Sequence, residues 1–475
     1  MKSIKLSGLL GLWLLANLTQ AQPTDTTDTS QPMNLEECLN YAFAHNANVG
    51  NAELERLIAD RDVSVTKAQG LPQINGSFSY TDNFAIQRQF IPDFISPPVY
   101  QVLLTEGLLP TDRQPPEPDI IAAAFGVRHS GIAGLSVSQM ILDGSYFIGL
   151  KAARVYTDLA KKSLEQTKVV TAEQVTKAYY TALVNQERQT LLNSNYQRLD
   201  TLLRETKLMF ENGFAEKIDV GRIQVQFNNA DTERKQNERL TEVSYLLLKF
   251  QMGMPIDQEI TLADKISEID FGFEQQAEAD FSYADRPEFA QVLVNQNLTQ
   301  LDLRNNRIQY LPKLTASANY GYNSGASEFA DLTNFQDRWF NYGNWGLNLD
   351  IPIFDGLRKH HTIQKSKLQL QQLETQADFL KNQIDLEIVQ ARVNLQNSLE
   401  TLEVQQENLD LAQEVFDVTK IKYQAGVGSN LEVTEAQNAL QSAETNYYNS
   451  LYNALIARVD LKKALGTLVE TTPEE

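Results

Sequence analysis

Two periods of hydrophobicity run along this chain. The first is a strict alternation. Ile74, Gly76, Phe78 and Tyr80 face away from Asn75, Ser77, Ser79 and Thr81, and Leu314, Ala316, Ala318 and Tyr320 face away from Thr315, Ser317 and Asn319. Ala133, Leu135 and Val137 oppose Ser136 and Ser138, while Trp345, Leu347, Leu349 and Ile351 oppose Gly346, Asn348 and Asp350. Period two predicts four strands, at about 73–82, 131–141, 313–322 and 344–353. The second period is seven. Ile388, Leu395, Leu402, Leu409, Phe416 and Tyr423 recur at that interval, and Tyr196, Leu203 and Phe210 do the same upstream. Val433, Leu440, Tyr447, Ala454 and Leu461 continue it beside a stripe of Ala436, Ala443, Ser450, Ala457 and Ala464, the large-and-small seam of closely packed coiled helices.

These patterns predict helical hairpins over 148–252 and 357–465, turning at Asn212-Gly213 and Ala425-Gly426, where glycine suits the position past a helix end. The longer helix of each would extend about 100 Å at 1.5 Å per residue. Such helices are rods, and both hairpins would point their tips the same way.

The chain is also written twice. Leu71-Pro72-Gln73-Ile74 through Tyr80 returns as Leu311-Pro312-Lys313-Leu314 through Tyr320, and Leu142-Asp143-Gly144 returns as Phe354-Asp355-Gly356. Phe210, Gly213, Asp219, Val220, Ala230, Leu248 and Gly253 match Tyr423, Gly426, Glu432, Val433, Ala443, Leu461 and Gly466 without a gap. The repeats span 34–255 and 285–468, each a helix, two strands and a hairpin, with a mixed acidic insert at 256–284. The loops at about 84–130 and 323–340 are expected at the far end of the strands. The first, which contains Pro92, Pro97, Pro98, Pro115, Pro116 and Pro118, is expected to be irregular; aromatic Phe335, Trp339, Phe340 and Tyr342 should lie just before the last strand, as an interfacial girdle.

Lys2 and Lys5, the apolar run Leu6 to Leu18 and Thr19-Gln20-Ala21 form a secretory signal over 1–21. A disordered leader is expected over 22–33 and an acidic tail over 469–475. Apart from the signal, no apolar run approaches the roughly 20 residues of a spanning helix, so a membrane span here must be β. Strands of about ten residues with one apolar face suit that role. Four of them in hydrocarbon leave two unpaired edges, each orphan backbone group costing several kcal/mol. Several copies must therefore share one barrel, eight-stranded and plugged from two copies or twelve-stranded and open from three.

Among 475 residues, 61 Asp+Glu against 41 Lys+Arg leave a net charge of −20, which argues against a nucleic-acid partner. The lone Cys38 fits a buried structural thiol. No phosphate loop, nucleophile elbow or Cys/His cluster marks an enzyme, no cofactor or metal is expected, and His360-His361 point about 100° apart on a helix, as surface residues would. A soluble periplasmic coiled-coil adaptor is the alternative, although one duplicated hairpin pair bracketed by strands exceeds the single hairpin of such proteins.

The order and duplication of these units, with Tyr423-Gln424-Ala425-Gly426-Val427-Gly428 before Leu431-Glu432-Val433, Ala464-Leu465-Gly466-Thr467-Leu468, and Arg286-Pro287-Glu288, resemble the TolC-like outer membrane efflux proteins. The resemblance implies a homotrimer in outer-membrane lipid, mainly α, with a twelve-stranded β-barrel continuing into a periplasmic α-helical barrel and the insert joining an equatorial collar. It also implies an exit duct for efflux or type I secretion, met at its hairpin tips by a periplasmic adaptor and an inner-membrane pump. On that basis Glu432 and Glu435 form an acidic ring at the constriction, although by themselves they read as a solvated face. Asp219 and Tyr423 would close the tip. The family's arginine near the second tip is here Gly428, and Arg222 could substitute electrostatically or pair locally. Gly213, Phe214, Gly426, Val427 and Gly428 would dock the adaptor, the glycines equally serving as plain turns.

Overall fold

A computed structural model describes residues 32–110, 112, 119–266 and 281–469. The signal segment, the acidic tail beyond residue 469 and residues 267–280 of the insert lie outside the described residues. The first repeat opens with two helices rather than one, α1 (Leu35–His45) and α2 (Ala47–Gln69). Asn34 and Glu37 form a reciprocal capping box on α1, and Asn46 caps α2, which separates the pair. Strand β1 (Gln73–Asp82) follows, then β2 (Arg88–Pro92), α3 (Ser96–Thr105), β3 (Ile120–Ala124) and β4 (His129–Leu142). The hairpin comprises α4 (Gly144–Glu211) and α5 (Lys217–Met252). The second repeat runs α6 (Pro287–Ile308), β5 (Lys313–Ala326), β6 (Trp339–Asp350), α7 (Arg358–Gln424) and α8 (Asn430–Ala464).

Four strands form one antiparallel sheet in the order β1-β4-β5-β6, so both repeats contribute two strands and β1 and β6 carry free edges. The register puts Ile74, Val137, Ala318 and Trp345 on one face, with Phe78, Leu135, Tyr320 and Leu347, and leaves Ser, Asn and Thr on the other. Phe78 and Trp345 are 70% and 80% exposed, so this apolar face is uncovered in the single chain and marks a surface that meets a membrane or a partner.

Three expectations need correction. The described part of the loop at 84–130 is not irregular: it holds the two-stranded β2–β3 sheet and α3, with Pro92 at the end of β2 and Pro97 and Pro98 in the first turn of α3, where a missing N–H costs little. Pro115, Pro116 and Pro118 lie outside the described residues. The aromatics do not all precede the last strand. Trp339, Phe340 and Tyr342 belong to β6, because β5 runs to Ala326 and pairs with them. Phe340 and Tyr342 fall on the otherwise polar face, which hid the alternation. The leader does not extend through Met33, whose N–H donates to Thr261 O (2.8 Å) and whose carbonyl accepts from Ala263 N (3.0 Å).

Helix α4 spans 68 residues and α7 spans 67, about 100 Å each. Neither Gly nor Pro interrupts α7, and Asp143 caps α4 by accepting from Ser145 N at 2.8 Å. Where α1 and the insert meet α4, α5 and α8, a core of Cys38, Val175, Tyr179, Leu183, Leu248, Met252 and Leu455 fixes the middle of the molecule. Burial pushes the Cys38 thiol up to about 12, with Glu37 and Asp264 adding to it, so it is an inert core residue. Arg286 explains its motif. Buried between α6, α7 and α8, it donates to Ala464 O at 2.6 Å, capping α8, and pairs with Glu288 and with Glu387 at 2.9 Å.

Higher up, α4 and α8 are clamped by charge. Burial works against the Glu173 carboxylate, yet Lys177 and Lys463, each at 2.8 Å, outweigh it and hold the group below its ordinary value of 4.5. Lys177 also reaches Asp460 at 2.7 Å. A depressed carboxylate contributes stability that is present above 4.5 and lost as pH falls through its folded value. Glu173→Gln is therefore expected to cost about 1–2 kcal/mol at neutral pH. The gap from wild type should close on acidification below 4.5, as read from thermal unfolding across pH. A gap independent of pH would rule out the clamp.

Candidate functional site at the hairpin tips

Both turns lie at the same end of the molecule, because one core joins them: Leu199, Leu202, Leu203 and Ile223 from the first hairpin pack against Phe416, Tyr423, Val433, Ala436 and Leu440 from the second. Gly213 and Gly426 sit in the left-handed region (φ 80° and 75°), closing matched turns. Beside them Phe214 and Val427 are 84% and 79% exposed, two apolar side chains held out at the extreme tip. Gly428 is packed rather than free. Its N–H donates to Lys422 O at 3.2 Å, and a Cβ there would come within about 3.1 Å of the Lys422 Cβ and the Tyr423 N. An arginine at 428 would require Lys422 and the Tyr423 backbone to give by a few tenths of an ångström.

Glu432 and Glu435 stand on the first turns of α8, both exposed, while their neighbours Val433 and Ala436 face the core. Ser429 caps the helix by accepting from Glu432 N at 3.2 Å, which fixes the direction of this face. Glu432 also lies at the positive end of the helix dipole, a placement worth about 0.3–1 kcal/mol whatever else it does.

Asp219 and Tyr423 are not joined within one chain. Asp219 accepts from Glu216 N at 3.0 Å in a capping box on α5 and lies 3.6 Å from Arg222, the local pairing foreseen for that arginine. Tyr423 is buried in the shared core, and its hydroxyl finds no hydrogen-bond partner among the described residues. An orphan buried hydroxyl costs about 1–3 kcal/mol.

The link between hairpins was missed in the sequence. Arg198 of α4 reaches Glu444 of α8 at 3.2 Å while its guanidinium covers the Phe416 ring at 5.1 Å. Gln437 donates to Asn195 at 3.0 Å, Gln441 to Glu233 at 2.5 Å, and Gln226 to Thr434 O at 3.2 Å. Burial pushes the Glu444 carboxyl up against the pull of Arg198. The signal was present: Asn430, Gln437, Glu444 and Leu451 recur every seven residues on α8, and all four are buried. A polar stripe in a buried heptad position marks the face that α8 turns to the other hairpin.

Elsewhere, the rings of His360 and His361 meet edge to face at 5.3 Å on an exposed helix end. Among the described residues no group of three or more His, Cys, Asp or Glu could hold a metal ion, and no helix is long and apolar enough to cross a membrane.

Comparison with known proteins agrees with this architecture. The family model described as outer membrane efflux protein matches residues 282–467, the span of the second repeat. Outer membrane protein TolC of Vibrio cholerae serotype O1 is 20% identical over 448 residues, covering 92% of this chain and 91% of that protein. The alkaline protease secretion protein AprF of Pseudomonas aeruginosa is 22% identical, covering 73% and 71%. Among solved structures, the Campylobacter jejuni CmeC outer membrane channel superposes with a TM-score of 0.67 at 17% identity, over 93% of this chain and 87% of that one. The fold, the duplication and these similarities converge: the second repeat matches the outer membrane efflux protein family, and the chain as a whole is similar to TolC-like proteins over about nine tenths of its length.

Proposed function

We propose that this protein is the exit duct of a tripartite efflux or type I secretion system, standing in the outer membrane with its helices in the periplasm and conducting cargo without catalysing a reaction. One observation carries this reading. A sheet with an outward apolar face and two open edges stands at one end of the chain, and two rods of about 100 Å share a tip at the other. Only a membrane suits the first end, and only a partner across the periplasm suits the second.

Three copies supply twelve strands, enough for an open lumen. In that assembly the Glu432 and Glu435 faces converge on one axis, six carboxylates in all, and Phe214 and Val427 meet the periplasmic adaptor of an inner-membrane pump. Asp219 and Tyr423 belong to the closing contacts, the phenol finding its acceptor on a neighbouring hairpin. Tyr423→Phe is then expected to leave the melting temperature of the isolated oligomer within a few degrees while raising its conductance. Unchanged conductance would remove Tyr423 from the latch.

Membrane extraction tests the whole reading. The protein is expected to resist salt and alkaline washes, to require detergent, and to run as an oligomer that conducts in planar bilayers. Release into buffer as a monomer would overturn the duct and favour a soluble coiled-coil adaptor.

A further inference from the structure

Charge is unevenly placed along the helices. The chain carries a net charge of −20, and residues 374–424 of α7 hold ten acids against four Lys or Arg. The helix turns nearest the sheet reverse that balance. Residues 61–69 of α2, 144–154 of α4, 302–308 of α6 and 358–367 of α7 hold ten Lys or Arg against two acids.

Contacts between the helices keep these turns at one level. Tyr146 of α4 donates to Lys67 O of α2 at 3.3 Å, Lys313 just beyond α6 reaches Asp143 at the start of α4 at 2.9 Å, and Ser366 of α7 donates to Asp302 of α6 at 2.8 Å. Asp302 also accepts from Asn306 at 2.9 Å, which turns one of the two acids into the α6–α7 seam. Lys67, Lys151, Arg154, Arg307 and Lys365 are exposed, and none of these five has an ion pair among the described residues. Where the sheet ends, a band of exposed apolar side chains intervenes: Leu71, Phe147, Leu311 and Phe354. From the sheet toward the tips the order is therefore apolar face, apolar and aromatic band, then cations. A bilayer presents hydrocarbon, interface and phosphate in the same order.

Resting on the membrane placement proposed above, we infer that these four helix ends form a basic collar that binds anionic phospholipid headgroups in the leaflet facing the periplasm. Lys and Arg suit that layer, because their stems lie along apolar surface while the charged ends reach phosphate. The exposed His360-His361 doublet stands in the same layer, on the turn that carries Arg358.

Lipid selectivity around the oligomer purified from its outer membrane tests the collar. Trp345 is exposed on the apolar face at the level of Ile74 and Ala318, in the inner half of the sheet. With Trp339→Phe it is the only tryptophan beyond the signal segment, so its quenching by brominated lipid reports which headgroups gather there. In phosphatidylcholine bilayers at 0.1 M salt, brominated phosphatidylglycerol is expected to quench Trp345 at about a fivefold lower mole fraction than brominated phosphatidylcholine, and 1 M salt should erase the difference. Lys151→Gln, Arg154→Gln, Arg307→Gln and Lys365→Gln together should bring the preference below about twofold. Lys207→Gln with Lys217→Gln, near the far tip, should leave it unchanged. Lys151→Arg, Arg154→Lys, Arg307→Lys and Lys365→Arg together keep the charges and should keep the preference, which separates charge from packing. Equal quenching by the two lipids in the otherwise unaltered protein would overturn the collar and leave the duct standing. So would a preference that survives neutralisation, or one that disappears in the charge-conserving variant. Binding to cell-wall sacculi without any lipid preference would assign the cations to an acidic glycan and overturn the lipid collar. Failure to insert into bilayers at all would overturn the duct itself.

Discussion

Replacing Glu432 and Glu435 together by Gln is expected to lower the cation-to-anion permeability ratio of the reconstituted pore by about threefold or more, and to relieve block by multivalent cations. Both carboxylates are exposed on one face of α8, turned away from Val433 and Ala436, and Ser429 fixes that face at the helix start. In a threefold assembly the double change removes six charges around one narrow passage. Because exposed charges are screened over about 10 Å at 0.1 M salt and about 3 Å at 1 M, the effect should be large at low ionic strength and small at high. The amide keeps size and polarity, so oligomer and fold should persist; Glu432 gives up only its dipole contribution of about 0.3–1 kcal/mol. Equal selectivity of variant and wild type at 0.1 M salt would return both residues to the solvated face that they resemble by themselves.

Phe214→Glu combined with Val427→Glu should abolish coupling to the pump. Two apolar side chains held at the tip by matched turns are expensive to leave in water and well placed as anchors. Losing anchors of this kind typically costs 2 kcal/mol or more, about thirtyfold in affinity. Adaptor binding to the purified oligomer is the readout, with single-channel conductance as control. Loss of the oligomer would instead make these residues structural. Their location argues against that: each protrudes beyond the shared core, and neither joins it.

Much of this was legible in the sequence, for identifiable reasons. Period two with a lipid-sized length gave β1 at its true bounds, and glycine-closed heptads gave both hairpins to within a few residues. What escaped was information carried between elements. Nothing local shows that Arg198 reaches Glu444, a pair separated by 246 residues, although the polar stripe of Gln437 and Glu444 hinted at a second buried face. The start of β6 was lost because Phe340 and Tyr342 place aromatics on the polar side. The β2–α3–β3 excursion was obscured by Pro92, Pro97 and Pro98, which occupy permitted positions rather than breaking structure. For the tip the sequence supplied residues but not geometry: Tyr423 lies in the core between hairpins, and Asp219 is occupied in capping its own helix.

The polar side of the sheet offers hydroxyls and carboxamides, from Asn75, Ser77 and Ser79 through Ser136 and Ser138 to Asn319, Asn344 and Asn348. Its acid and base, Asp350 and Lys313, face each other at the end next to the helices, and the strand positions beyond them on this side carry neither. If this side lines the last stretch of the conduit, a departing ion meets no fixed countercharge there. Water can remain bound along such a wall, and cargo of either sign would pass with equal ease. Whatever discrimination the duct exercises is then completed at entry, about 100 Å upstream, and the outlet favours release.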